Sequence, residues 1–237
     1  MVIIENLQPI SFQLVIEIEP YQWSSRNSPK VSPSRLYPEE WLEYFNDCMK
    51  DAGFESINPI RPGSFFVDAF SLLGTSLLDS LIKNHLQNAA LPGFPDEEGY
   101  EDQLDGDYVS KISGGVAILS GDKVLLEPEC CCDFTNLYEW KDLIETRPAS
   151  SKVWIGHPQA QVNFNNDLVT ISEGCEYSPA PDYLVQFSVE FSELKNAVQE
   201  AEKSLKQFKS RLYDIVKKIF DDPELAKVVT TCLTDYN

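Results

Sequence analysis

Gly114-Gly115-Val116-Ala117-Ile118-Leu119-Ser120-Gly121-Asp122-Lys123-Val124-Leu125-Leu126-Glu127-Pro128-Glu129-Cys130-Cys131-Cys132-Asp133 is the stretch on which the fold reading turns. Two apolar runs, Val116–Leu119 and Lys123–Leu126, flank the turn residues Ser120-Gly121-Asp122 and read as a β-hairpin. Three adjacent cysteines follow. Thr135 or Asn136 can then cap a helix to about Thr146, with Leu137, Trp140, Leu143 and Ile144 on one face and Pro148 as the stop. Lys152–His157 reads as a further strand, ended by Pro158.

Moving outward toward the N-terminus, Phe12, Leu14, Ile16 and Ile18 alternate with Gln13, Val15, Glu17 and Glu19, the pattern of a half-buried strand. Ser24 to Pro38 is a long Ser/Pro-rich loop holding Arg26, Lys30 and Arg35. Pro38 suits the first turn of a helix that ends at Gly53, with Trp41, Leu42, Tyr44, Phe45, Cys48 and Met49 as its apolar face. Residues 54–61 are expected to be extended. A second helix is expected from Ser64 to about Asn88, with Gly74 as a break; the alternative is a short strand at 65–70 and a helix from Thr75. His85 near its end is expected to complement the helix dipole.

Toward the C-terminus, Gln161–Phe164 and Leu168–Ser172 form a second hairpin around Asn165-Asn166-Asp167. Tyr183, Val185, Phe187, Val189 and Phe191 alternate as a strand. A long helix then runs from about Ser192 to Phe220. Its apolar positions Leu194, Val198, Ala201, Leu205, Phe208, Leu212, Ile215 and Ile219 follow a strict heptad. Asp222-Pro223-Glu224 starts a terminal helix through Leu233. Strands arrive in hairpins rather than alternating one-for-one with helices. The expected class is therefore α+β: a mostly antiparallel sheet with helices packed on one face. We expect one domain over residues 1–237, with 192–237 as a C-terminal helical segment packed on it. Intramolecular packing of that helix, and hence a monomer, is expected ahead of a homodimer seam along 194–219.

Charge bounds function. The net charge is −19, and the segment from Ser192 onward is balanced, so residues 1–191 carry 30 acidic against 11 basic residues. Such a field repels nucleic acid and anionic membrane surfaces. No run of about 18 apolar residues free of charge exists to span a bilayer. Met1-Val2-Ile3-Ile4-Glu5 carries no basic region and no cleavage site, so a cytoplasmic location with reduced thiols is expected. The densest negative run is Asp96, Glu97, Glu98, Glu101, Asp102, Asp105 and Asp107. With Gly106 at the sixth position of a calcium loop, the twelfth falls on Ile112 where a glutamate is required, so calcium is not expected.

No dinucleotide or P-loop glycine motif, Gly-x-Ser-x-Gly or His-Glu-x-x-His occurs, and no cofactor or metal is expected. Cys130, Cys131 and Cys132 just before a helix, with His157 on a later strand as a general base, would suit a cysteine hydrolase. In this order alone the chain resembles papain-like hydrolases. Asp133 opposes thiolate formation, and in an extended run only Cys130 and Cys132 could share a face. The plainer expectation is cysteines filling a tight corner, Asp133 ordering the turn, and Trp140 and Trp154 packing beneath. The function expected first is non-enzymatic: a binding protein, in its narrowest form a bacterial immunity-type or regulatory binder, docking a basic protein partner through the acids of Asp96–Asp107.

Overall fold

The computed structural model describes residues 2–4, 8–32, 34–88, 111–173 and 185–235. The acidic run Asp96–Asp107 and Tyr183 lie outside the described residues. The class is α+β, with two sheets rather than one. The first is four-stranded and antiparallel, in the order β3 (Phe66–Asp68), β2 (Ile10–Glu17), β4 (Gly114–Ser120), β5 (Lys123–Leu126). The second runs β1 (Val2–Ile4), β9 (Val185–Glu190), β8 (Leu168–Ser172), β7 (Ala160–Asn165), β6 (Ser150–Val153). Only the β1–β9 pair in it is parallel.

Both expected hairpins form, because their turn residues suit the geometry: Gly121 and Asn166 each take a left-handed φ between the paired strands. In β2 the alternation places Ile10, Phe12, Leu14 and Ile16 in the main core. Val15 is buried on the other face in a small cluster with Phe66 and Ala117. The main core is therefore on the helix side of this sheet.

Among the described residues there are five α-helices: α1 (Pro38–Asp51), α2 (Ser76–Asn88), α3 (Asn136–Thr146), α4 (Phe191–Phe220) and α5 (Pro223–Thr234). The expected helix from Ser64 does not form; the alternative does. Ser64 Oγ accepts from the Phe66 N–H at 3.0 Å and turns the chain into β3, which pairs with β2 through Val67 opposite Ile16. Gly74 then takes a left-handed φ, and Thr75 Oγ1 accepts from the Leu78 N–H at 3.3 Å to cap α2, which contains His85. Sheet pairing overrides helix propensity here. Residues 54–61 hold a turn at 55–56 and bends at 60–61 with irregular backbone at 57–59, and in place of the strand expected over Lys152–His157 stands β6, which starts at Ser150 and ends at Val153.

The 30-residue α4 leaves β9 without a loop and packs against β2, β8 and β9. Its Glu193 carboxylate accepts from the Ile10 N–H, fastening the start of the helix to the start of β2. Leu194, Val198, Ala201, Leu205, Phe208 and Leu212 are buried within the chain, as the heptad predicts. The stripe then moves to Val216 instead of Ile215, and Ala197 joins it. A straight helix drifts off a 3.5-residue repeat, and a sheet face tolerates a wider stripe than a coiled coil does. Asp222 caps α5, its Oδ1 accepting from the N–H groups of Glu224 and Leu225 at 2.9 and 3.1 Å.

Candidate functional site

Glu127–Asp133 connects the two sheets. On one side the Glu129 N–H donates to the Ile155 carbonyl, the His157 N–H donates to the Cys130 carbonyl at 3.4 Å, and Cys130 and His157 form a bridge pair just beyond β6. On the other side the Gly114 N–H donates to the Cys132 carbonyl at 2.9 Å, and Ser113 pairs with Asp133. Gly115 is required where β4 meets this turn. A Cβ there would sit 3.0–3.1 Å from Asn136 Nδ2, the Asp133 carbonyl and Cys132 Sγ, on a φ of +137°. Asp133 Oδ1 accepts from the Thr135 N–H at 2.6 Å and so orders the entry to α3.

The three cysteines separate. Cys132 is buried, its thiol directed at the Asp133 carbonyl at 3.7 Å. Burial, then Asp133, pushes that thiol far above the ordinary range. Cys130 and Cys131 are exposed. Cys131 has a left-handed φ of +65°, which breaks the two-residue alternation of an extended chain. The alternation that would let Cys130 and Cys132 share a face is broken there, and the two differ in burial, Cys130 exposed and Cys132 buried. The charge and hydrogen bonding of Cys130 raise the Cys131 pKa, with burial and Glu17 adding smaller contributions. The Cys130 thiol points at the His157 carbonyl oxygen at 3.9 Å. The His157 ring meets the edge of Trp154 at 4.6 Å, while Trp140 is fully buried against Phe12 at 5.2 Å. Trp154 thus packs beside the histidine rather than beneath the thiols.

Beside the thiols lies a charge network that we did not foresee. Arg35, from the long loop before α1, binds Glu129 through Nη2 and Glu173 through Nη1 at 3.0 Å, and lies 3.8 Å from Glu127. Arg61 binds Glu127. Side-chain exposure is 8% at both Glu127 and Glu173, 24% at Arg35 and 28% at Glu129, so these are desolvated charges. Burial pushes the Glu129 carboxyl up to about 7; Arg35 opposes this, and Glu127 and Glu173 add to it. Burial pulls the Arg35 pKa down, but Glu129, Glu173 and Glu127 outweigh it and leave the guanidinium above its ordinary value. The sequence did carry a signal. In Glu127-Pro128-Glu129 two carboxylates stand two residues apart after a strand, and an arginine sits in a loop too long to be an idle connection.

This geometry sets a pH dependence. In the folded state Glu129 holds its proton to about pH 7, against an ordinary value of 4.5. The associated stability is full below pH 4.5 and is lost as pH rises through 7, because the folded state binds the extra proton across that window. Glu17, raised by burial and by Glu19, acts in the same direction. Glu129→Gln is expected to reduce the fall in stability between pH 4.5 and 7.5, by at most about 3 kcal/mol at roughly 1.4 kcal/mol per pH unit. Urea unfolding at the two pH values measures it; an unchanged slope would count against the assignment.

Among the described residues no group of three or more His, Cys, Asp or Glu is arranged to hold a metal ion, and no helix is long and apolar enough to cross a membrane. A shallow groove of about 340 Å³ opens on the other face of the four-stranded sheet, between Gln13, Leu119 and the turns at 56–60 and 121–122. Neither the thiols nor His157 line it. No family model, curated protein or solved structure matches the chain.

Proposed function

We propose that the chain is a binding protein that docks a basic protein partner through its acidic portion. The supporting observation is how the cations of residues 1–191 are used. Arg26, Arg35, Arg61, Lys111, Lys141 and Arg147, six of the eleven, are seated in ion pairs with carboxylates of the same chain. Their fields are cancelled locally, and the net charge of −19 is carried by other carboxylates, seven of them crowded into Asp96–Asp107. A surface of one sign steers an oppositely charged partner and accelerates encounter.

The test is affinity capture at low salt, identification and purification of the captured protein, and measurement of its Kd and kon against salt. A basic partner whose kon falls at least 10-fold from 50 to 300 mM salt is expected, with the seven acids of Asp96–Asp107 changed to Asn or Gln causing a similar fall. An acidic partner, or binding indifferent to salt and to these changes, would refute the reading.

The competing reading is a cysteine hydrolase, and one observation favours it: bridge pairing sets Cys130 opposite His157, with both residues exposed. Two features oppose it. The Cys130 thiol is directed at the His157 carbonyl oxygen, and α3 begins six residues later. Under the binding reading, iodoacetamide modifies Cys130 no faster than a free thiol of ordinary pKa. A single hyper-reactive Cys130 would favour the enzyme.

A further inference from the structure

We propose that Cys130 and Cys131 form a chelating dithiol site for a soft, thiophilic centre that binds two sulfurs, such as a trivalent arsenical. Both residues are exposed, unlike buried Cys132, and they are adjacent in the chain. The left-handed φ of Cys131 breaks the alternation by which an extended chain would send neighbouring side chains to opposite faces. His157 stands across from Cys130 in the bridge, with its ring held against Trp154, and supplies a side chain at the margin of the site.

Geometry selects chelation over a direct sulfur–sulfur bond. Adjacent Cα atoms across a trans peptide are about 3.8 Å apart, whereas disulfides usually need about 4.4–6.8 Å. A bond between these neighbours would be strained and readily reduced. Inserting one atom with two bonds of roughly 2.3 Å to sulfur widens the ring and removes that constraint. Soft sulfur ligands favour soft acceptors over calcium, magnesium or other oxygen-seeking ions.

With phenylarsine oxide, R–As=O, the step balances without any change in redox state. Two As–S bonds form, the As–O double bond breaks, and both thiol protons leave with the oxygen as one water.

The test treats the full chain with one equivalent of phenylarsine oxide, then alkylates it with a maleimide and maps the modified cysteines by mass spectrometry. A 1:1 adduct is expected, with Cys130 and Cys131 protected together at least 10-fold. A dithiol such as 2,3-dimercaptopropanol should release it, and an equal concentration of a monothiol should not. C130S and C131S should each abolish the adduct, while C132S, or C232S at the buried cysteine of α5, leaves it intact. Circular dichroism establishes that each variant is folded. Absence of a 1:1 adduct, an adduct mapped to other cysteines, or an adduct that survives in folded C130S or C131S would overturn the proposal.

Discussion

Arg35→Ala is expected to destabilise the protein by about 3–5 kcal/mol at pH 8, among the largest effects available to a single change outside the apolar core. Arg35 joins three carboxylates, and two of them, Glu127 and Glu173, are almost wholly buried. Removing it strips the guanidinium from both buried carboxylates and from Glu129, while Arg61 still binds Glu127. The cost exceeds that of an exposed pair such as Lys203–Glu200, where both side chains are largely solvated and the expected contribution is about 0–1 kcal/mol. The penalty should shrink at pH 5. Glu129 already holds its proton to about pH 7, and loss of the opposing guanidinium raises it further, so acid neutralises part of the uncompensated charge. Urea unfolding of wild type and variant at pH 5 and 8 tests both statements. A loss below about 1 kcal/mol at pH 8, or one that grows in acid, would show that the network does not bind as its geometry indicates.

Much of the architecture was legible because it depends on local pattern. The hairpins at 114–126 and 160–172 followed from alternation around turn residues, and α1, α3, α4 and α5 from apolar spacing, although the expected Thr135 or Asn136 cap of α3 is replaced by Asp133 and only α5 carries the side-chain cap of its N-cap residue. Partner choice was not legible. Nothing local distinguishes β3 from the start of a helix; Val67 becomes strand because Ile16 lies beside it. Nor does periodicity say that the hairpins divide between two sheets. The candidate site divided in the same way. The expected strand through His157 ends at Val153, and an isolated bridge beyond it sets His157 opposite Cys130. The break in alternation at the thiols could not be read, because it depends on one left-handed φ at a non-glycine residue. Arg35 was noted in its loop, yet its carboxylates lie 92, 94 and 138 residues away, and charge composition carries no information at that range.

Gly156→Ala is the second large effect, expected at about 3 kcal/mol or more. Gly156 has a φ of +104°, a conformation open to glycine and costly to alanine by about 1–3 kcal/mol. Space adds to this. A Cβ built there would lie 2.6 Å from the Glu129 carbonyl carbon and oxygen and would also strike the Cys130 carbonyl oxygen. All of these are backbone atoms that no rotamer change can move, and overpacking of this kind costs about 1–3 kcal/mol. The strain falls where Glu129–Cys130 runs beside Ile155–His157, so the two segments must separate to accept the methyl group. Separation would draw Glu129 from Arg35 and disturb the Cys130–His157 pairing, linking the charge network and the dithiol through one glycine. The expected signature is therefore double: a lower unfolding midpoint, and faster amide hydrogen exchange at Glu129 and His157, the N–H groups that donate across the junction. Gly53→Ala is the control. Gly53 also has a positive φ, +81°, but open space lies where its Cβ would go, so only the conformational cost remains and exchange at the junction stays as in wild type. If both variants lost the same stability, the close approach at Gly156 would contribute nothing, and the two segments would not be held as tightly as their hydrogen bonds require.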